Sequence, residues 1–394
     1  MKKQTQAIHL EYERRDAYDS LSVPVYNTLA YEFDNAAVMA EAFTDKIKAP
    51  DYSRVENPTV TNLERRVAAL TDAAHATAFN SGMAAISNTL MALAAQGKNI
   101  VTSKHLFGNT YALLVATLRR FGVKVRLRDL TNIEAVREAI DDDTCCVFLE
   151  ILTNPQLEVA DLKAISEVAH EKNVPLVVDS TVIPFTQFSA KSLGVDIEVV
   201  SSSKYVSGGA TSLGGLVIDY GTPYNGDFAK RLYGEMLFNF GAYMPPQVAY
   251  MQTIGLETLD ARYRVQSSNA LELAKKLRSL PQIKYVNYVG LEDNPYHELA
   301  QRQFGKTAGA MICIDLESKE ACFSFLNNLK LIHRATNLFD NRSLAIHPAS
   351  TIFGAFSESM RKSMDVKDTT IRLSIGLEDV DDLFEDIKQA VDSL

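Results

Sequence analysis

Val174-Pro175-Leu176-Val177-Val178-Asp179-Ser180-Thr181 is the stretch on which the fold turns. Its apolar residues are consecutive rather than alternate, so a strand formed here is covered on both faces, as a central strand of a parallel sheet is. Around it, the β-rich runs Asn99–Thr102, Val123–Leu127, Thr144–Leu149 and Ile197–Ser201 alternate with Tyr111–Phe121, Asn132–Ile140 and Asp161–Lys172. The latter carry apolar residues at three-and-four spacing, the mark of a helix with one buried face. Strand and helix in alternation predict a mostly parallel sheet with helices on both faces.

Outside that block the pattern changes. After Pro246 a long helical periodicity runs to Leu280 and stops at Pro281. A smaller α+β segment follows, with strands near 284–289, 310–316 and 371–375, a helix over 319–329 and a terminal helix from Asp379. The first residues are less regular and rich in Tyr and Asn. The expected organisation is an N-terminal arm (1–55), a large α/β domain (56–245), and a connecting helix with a small C-terminal α+β domain (246–394). A chain of 394 residues is too long for one core, since cores stop growing at roughly 250–300 residues.

Composition narrows the partners. The formal net charge of −9 lacks the basic footprint that nucleic acid requires. Cys145, Cys146, Cys313 and Cys322 have neither metal-ligand nor redox spacing; they read as free structural thiols in a reducing cytoplasm. Ala73–Gly97 contains no Asp, Glu, Lys or Arg, but His75, Asn80, Ser81, Asn88 and Gln96 make it too polar for a membrane span. It is expected to be a buried helix, and no signal peptide is visible ahead of it.

Three motifs carry chemistry. In Ser201-Ser202-Ser203-Lys204-Tyr205-Val206-Ser207-Gly208-Gly209, a strand ends and two hydroxyls at alternate positions precede a lysine and glycines. Ser201 and Ser203 are expected to face a phosphate together while Lys204 reaches an aldehyde. Imine formation and base catalysis both need a partly neutral amine. On this motif alone, a solvated lysine in a Ser/Gly loop reads equally well. In Phe79-Asn80-Ser81-Gly82-Met83-Ala84, Ser81 caps a long apolar helix whose free N–H groups can receive an anion. Asp179 ends the central strand, where ligands of open α/β sheets bind, and could keep a pyridine nitrogen protonated or instead bind a metal or cap a helix. In combination, anion site, strand-end carboxylate and Ser-x-Ser-Lys point to pyridoxal 5′-phosphate (PLP).

With these residues in place the chain resembles the Cys/Met-metabolism PLP enzymes of the aspartate-aminotransferase fold type. The resemblance runs from Pro24 to the C-terminus. It includes Tyr52-Ser53-Arg54-Val55-Glu56-Asn57-Pro58-Thr59, Thr153-Asn154-Pro155, His347-Pro348-Ala349-Ser350 and Arg372-Leu373-Ser374-Ile375-Gly376-Leu377. It implies that Ser81, Gly82, Met83, Ser201 and Ser203 hold the phosphate, with Tyr52 and Arg54 reaching in from a neighbouring subunit. Lys204 would carry the cofactor as a Schiff base, Asp179 would pair with its ring nitrogen, Asn154 would lie near its ring oxygen, and Arg372 would clamp the substrate α-carboxylate. Lys204 and Tyr52 would be catalytic. A homo-oligomer with sites shared across a dimer interface, assembling to a tetramer, follows from the same likeness.

Departures from the family pattern bear on the reaction. Phe107-Gly108-Asn109 stands where members usually have Tyr-Gly before the helix over the ring, so the stacking residue has no hydroxyl. Lyases and cystathionine synthases generally carry Ser and Glu where this chain has Asn337 and Arg342; the resemblance there is to O-acetylhomoserine sulfhydrylases, with Asn337 as a substrate contact. The expected reaction is γ-replacement, O-acetylhomoserine and sulfide giving homocysteine and acetate in methionine biosynthesis. A methionine or cystathionine γ-lyase is the alternative within the family, and a PLP-binding regulatory protein without turnover is the alternative outside it. His105 and His347 are expected to be structural.

Overall fold

The computed structural model describes residues 1–10, 18–44, 46–306 and 308–394. Seven strands form the larger sheet: β1 (His75–Phe79), β2 (Asn99–Ser103), β3 (Lys124–Arg128), β4 (Thr144–Glu150), β5 (Leu176–Asp179), β6 (Ile197–Val200) and β7 (Gly215–Asp219). Their spatial order is β1-β7-β6-β5-β4-β2-β3. The strands from β2 to β6 are parallel, and β7 is antiparallel to both β6 and β1. The protein is therefore α/β with a large, mostly parallel sheet. Leu176, Val177 and Val178 are wholly buried, as the unbroken apolar run at the centre of the sheet requires.

Strand β7 has no counterpart in the sequence reading, and its direction has a simple cause. No crossover helix follows β6; the chain turns through Ser201–Gly214 and comes straight back, which only an antiparallel strand can do. Gly215 at its start lies where a Cβ would come 2.1 Å from the carbonyl oxygen of Ser81. The helix Gly82–Leu93 is thereby seated against β7 and β6, with Ala85, Ile86 and Leu90 buried. This is the uncharged stretch, and among the described residues no helix is long and apolar enough to cross a membrane.

The second sheet contains β8 (Tyr285–Asn287), β9 (Met311–Asp315), β10 (His333–Arg334), β11 (Leu344–Ile346) and β12 (Thr370–Ser374), in the order β10-β11-β12-β9-β8. Strands β10 and β11 are too short to give a period-two signal. The long helical pattern after Pro246 is two helices, Pro246–Glu257 and Leu259–Leu277, because Thr258 leaves helical geometry at φ −104°, ψ 0°. Near the N-terminus the helix Lys3–His9 is tied to the large domain: Lys3 Nζ donates to the Phe188 carbonyl (2.9 Å), and Arg66 Nη1 donates to that of Ala7 (2.6 Å).

Candidate active site

The carboxyl ends of β4, β5 and β6 come into line because the register places Glu150 opposite Asp179, and Asp179 opposite Val199. A cavity of about 510 Å³ opens there, between the two sheets. Asp179, Ser201 and Lys204 line it from the strand ends, Gly82 and Met83 from the helix start, and Arg372 on β12 and Asn337 from the side of the smaller sheet.

Beyond Val200 the chain is a tight turn. Ser201 N–H donates to Thr181 Oγ1 (2.8 Å), and Lys204 N–H donates to the Ser201 carbonyl (3.1 Å). Ser203 Oγ accepts from Gly214 N–H (2.9 Å) and donates to the Gly214 carbonyl (3.1 Å). These bonds fix the backbone from which Lys204 reaches the cavity. The expectation that Ser201 and Ser203 face the same way assumed strand alternation. The strand stops at Val200, so only Ser201 lies on the wall while Ser203 is buried behind it, stitching the turn to the start of β7.

The electrostatics of the wall are unusual in one respect: its charges are desolvated and poorly paired. Burial, helped by the nearby Arg372 and opposed by Asp179, holds the Lys204 ammonium below its ordinary range. Burial raises Asp179 against the Thr181 hydrogen bonds, including N–H to Oδ1 at 2.9 Å. Burial also raises Glu150 well above the carboxylate range, with the Asp179 charge adding to it. Arg372 is lowered to about 10 by burial. Among the described residues its guanidinium meets only neutral acceptors: Asn154 Oδ1 at 3.2 Å, and the carbonyls of Thr336 and Asn337, both at 3.3 Å. Among the described residues its buried Nε has no hydrogen-bond partner. A buried cation without a counter-charge costs several kcal/mol, so an anionic ligand would be bound strongly here.

The same wall fits a phosphorylated pyridine aldehyde. A Cβ on Gly82 would stand 2.6 Å from Ser201 Cβ, so the helix start and the Ser201 turn are pressed together with only glycine between them. That brings helix N–H groups and a serine hydroxyl to one corner, an anion site. Lys204 supplies a desolvated amine, and Asp179 a buried carboxylate in need of a cation. Asn154 lies on the wall next to Arg372, and Phe107 offers an aromatic face.

Other expected residues lie off the wall. Ser81 Oγ is used as the helix cap, accepting from Ala84 N–H at 3.1 Å. Tyr52 is exposed, and the Arg54 guanidinium sits 5.4 Å from its ring while donating to the Phe238 carbonyl at 2.6 Å. Arg342 is exposed, paired with Asp340 at 3.1 Å, and Asn109 is exposed; of the specificity positions, Asn337 and Phe107 reach the cavity. His347 bonds Ser350 Oγ and the Asp368 carbonyl, each at 2.8 Å, away from the cavity. Sequence reasoning missed Glu150, which accepts from Phe107 N–H and lines the site. A carboxylate directly after the apolar run Cys145–Leu149 was the available signal, the same one that exposed Asp179. It also missed Thr351 and Ile352, which roof the cavity from irregular backbone.

Residues 4–392 match the model of the Cys/Met metabolism PLP-dependent enzyme family. An L-methionine γ-lyase of Fusobacterium nucleatum subsp. polymorphum is 37% identical over 394 residues, covering 99% of this chain and 98% of that protein. O-acetyl-L-homoserine sulfhydrylase 1 of Thermus thermophilus is 34% identical, covering 99% of this chain and all of that one. A solved structure from Campylobacter jejuni, described as a putative O-acetylhomoserine (thiol)-lyase with a pyridoxyl-lysine monophosphate at position 205, is 35% identical. It superposes with a TM-score of 0.95 and covers 100% of both chains.

Proposed function

We propose that this chain, which belongs to the Cys/Met metabolism PLP-dependent enzymes, is an O-acetylhomoserine sulfhydrylase, converting O-acetylhomoserine and sulfide to homocysteine and acetate. Elimination or replacement at the γ-carbon of an amino acid, with PLP as cofactor, is the chemistry it shares with its relatives. The observation that carries the finer reading is Phe107: the aromatic side chain on the cavity wall has no proton to give a departing group. General-acid assistance is worth roughly 10²–10⁴-fold. A thioether needs that assistance because a thiolate is a poor leaving group, whereas acetate leaves as a stable anion.

In this reading Gly82, Met83 and Ser201 hold the phosphate, Ser81 by capping the helix that carries Gly82 and Ser203 by tying down the Ser201 turn. Lys204 carries the cofactor; the pyridoxyl-modified lysine at position 205 of the Campylobacter jejuni structure supports that reading. When bound, the pyridine ring supplies an electron sink for the substrate's α-carbon, and Asp179 keeps its nitrogen protonated. Asn154 would lie near the ring oxygen, and its Oδ1 accepts from Arg372 Nη1 at 3.2 Å. Arg372 clamps the α-carboxylate and Asn337 borders it. Lys204, kept partly neutral by burial, removes the Cα proton and returns one there at the end. Between those steps a proton leaves Cβ and its electron pair expels acetate from Cγ; hydrosulfide then adds at Cγ as a proton returns to Cβ.

Tyr52 and Arg54 are proposed to complete the neighbouring subunit's site in a dimer, with dimers pairing into a tetramer. Their location off this chain's cavity wall supports that role, with Tyr52 also assisting proton transfer. Hybrids reassembled from inactive Lys204→Ala and Arg54→Ala chains should regain activity, because one site then has both residues; hybrids as inactive as their parents would refute sharing. The γ-lyase reading is favoured by the 37% identity to the Fusobacterium nucleatum enzyme. Product analysis separates the two: homocysteine and acetate from O-acetylhomoserine only when sulfide is present supports the sulfhydrylase, and a keto acid from methionine at a comparable rate supports the lyase.

A further inference from the structure

His105 lies two residues before Phe107, with its side chain buried between acceptors from two directions. Its Nδ1 bonds Glu158 Oε2, on the segment beyond β4. Its Nε2 bonds Asp365 Oδ2 at 2.8 Å, on the far end of the segment that roofs the cavity. Lys104 Nζ bonds the same Asp365 oxygen at 2.6 Å. Asp129, beyond β3, and Tyr296, near Glu158 and Asp129, are the other titratable groups in this neighbourhood. A neutral imidazole has one N–H, but both ring nitrogens here face carboxylates, so the geometry calls for the imidazolium.

The contact continues toward the cavity. A Cβ on Gly108 would stand 2.7 Å from the Ile352 carbonyl oxygen, and Tyr111 packs edge-on to Phe356 at 5.9 Å. Ile352 and Thr351 line the cavity, and Phe353, Met364 and Val366 form a small core under the same segment. Asp365 itself is held at φ +54°, a left-handed conformation that Asp tolerates better than most residues. The Phe107 loop and the roof thus meet along an apolar strip that ends in a charged clasp.

We propose that His105, as an imidazolium held between Glu158 and Asp365, is a positioning residue that clasps the roof segment to the Phe107 loop and keeps the cavity closed around the substrate. The proposal holds for whichever amino acid the enzyme turns over. Burial pulls the His105 imidazolium down, but the bonds to Glu158 and Asp365 outweigh it and leave the group raised, with Lys104 opposing. A raised folded value means that the clasp is complete below the ordinary histidine value of about 6.5 and is lost as pH rises through the folded value. One N–H then disappears, and one carboxylate faces a lone pair.

The test uses the holoenzyme. NMR of ring-labelled histidine, with the His105 resonance identified by its absence in His105→Gln, should show His105 titrating above 6.5. The KM of the unaltered enzyme should rise about tenfold through that titration with kcat little changed, the equivalent of one lost charge-assisted hydrogen bond. Asp365→Asn should move the KM rise to lower pH, and His105→Gln should keep KM high at every pH while retaining the cofactor's absorbance. A His105 that titrates at or below 6.5, or a His105→Gln enzyme with the unaltered KM profile, would overturn the proposal. The titration needs no turnover, so its outcome stays separate from that of the sulfhydrylase assignment.

Discussion

The wall that the large sheet gives the cavity and the wall that faces it from the side of the smaller sheet are built by different means. On the sheet side Glu150, Asp179 and Ser201 follow from the aligned ends of three neighbouring parallel strands, and Gly82 from a capped helix start. Their positions are set by backbone hydrogen bonds that the fold cannot alter without losing the sheet. On the other side Arg372 is the one functional group taken from a strand interior. Asn337, Thr336, Thr351 and Ile352 come from irregular backbone, where Arg372 Nη2 donates to the Thr336 and Asn337 carbonyls at 3.3 Å. A group on a ladder is placed once and for all; a group on a loop can be re-aimed by a few substitutions. The first suits a cofactor common to a family, the second a substrate that differs among its members.

Substitutions on the two walls should therefore fail differently. Lys204→Ala should have the largest effect, lowering turnover by roughly 10⁴-fold or more and abolishing the absorbance of the lysine-bound cofactor while the protein still folds. Borohydride reduction of the unaltered protein followed by peptide mapping should put the pyridoxyl label on Lys204; a label elsewhere would break the assignment of the whole sheet-side wall. Arg372→Leu should leave the absorbance intact and lower kcat/KM roughly 10²–10³-fold, as loss of a buried charge partner does. Loss of cofactor in that variant would mean that the walls are not separable. Gly82→Ala should do the reverse, because its Cβ would fall within 2.6 Å of Ser201 Cβ. Cofactor affinity, measured by dialysis and titration, should fall about tenfold, with the KM for amino acid unchanged once the site is saturated. Phe107→Tyr should have the smallest effect, raising methionine cleavage severalfold by restoring a proton donor beside the leaving group. No gain in that variant would move the discrimination to the opposite wall, to Asn337.

The same division explains what could be read in advance. Asp179 is legible because it ends an apolar run whose length announces a parallel strand, and a strand end is a fixed address; Lys204 is legible from the Ser-x-Ser-Lys turn that follows a strand end. Glu150 obeys the same rule, ending β4 directly after the apolar run Cys145–Leu149. The Ser201–Lys204 turn departs from strand alternation because β6 stops at Val200, and Ser203 is turned back onto Gly214. Strand β7 has no crossover helix before it to complete the alternating pattern, and it pairs antiparallel with β1 and β6. The roof and the His105 clasp bring together residues far apart in sequence, His105, Glu158 and Asp365, through packing that no local pattern encodes.

The central claim is that the substrate-side wall and Phe107 select an activated homoserine ester over a thioether. One competition measurement tests it: O-acetylhomoserine and methionine at equal concentration with excess sulfide, following homocysteine and acetate against methanethiol and keto acid. The account predicts a kcat/KM ratio of roughly 10² or more in favour of sulfide transfer, the size of a general-acid contribution. A ratio near one, or one favouring methanethiol release, would contradict it and make the chain a γ-lyase.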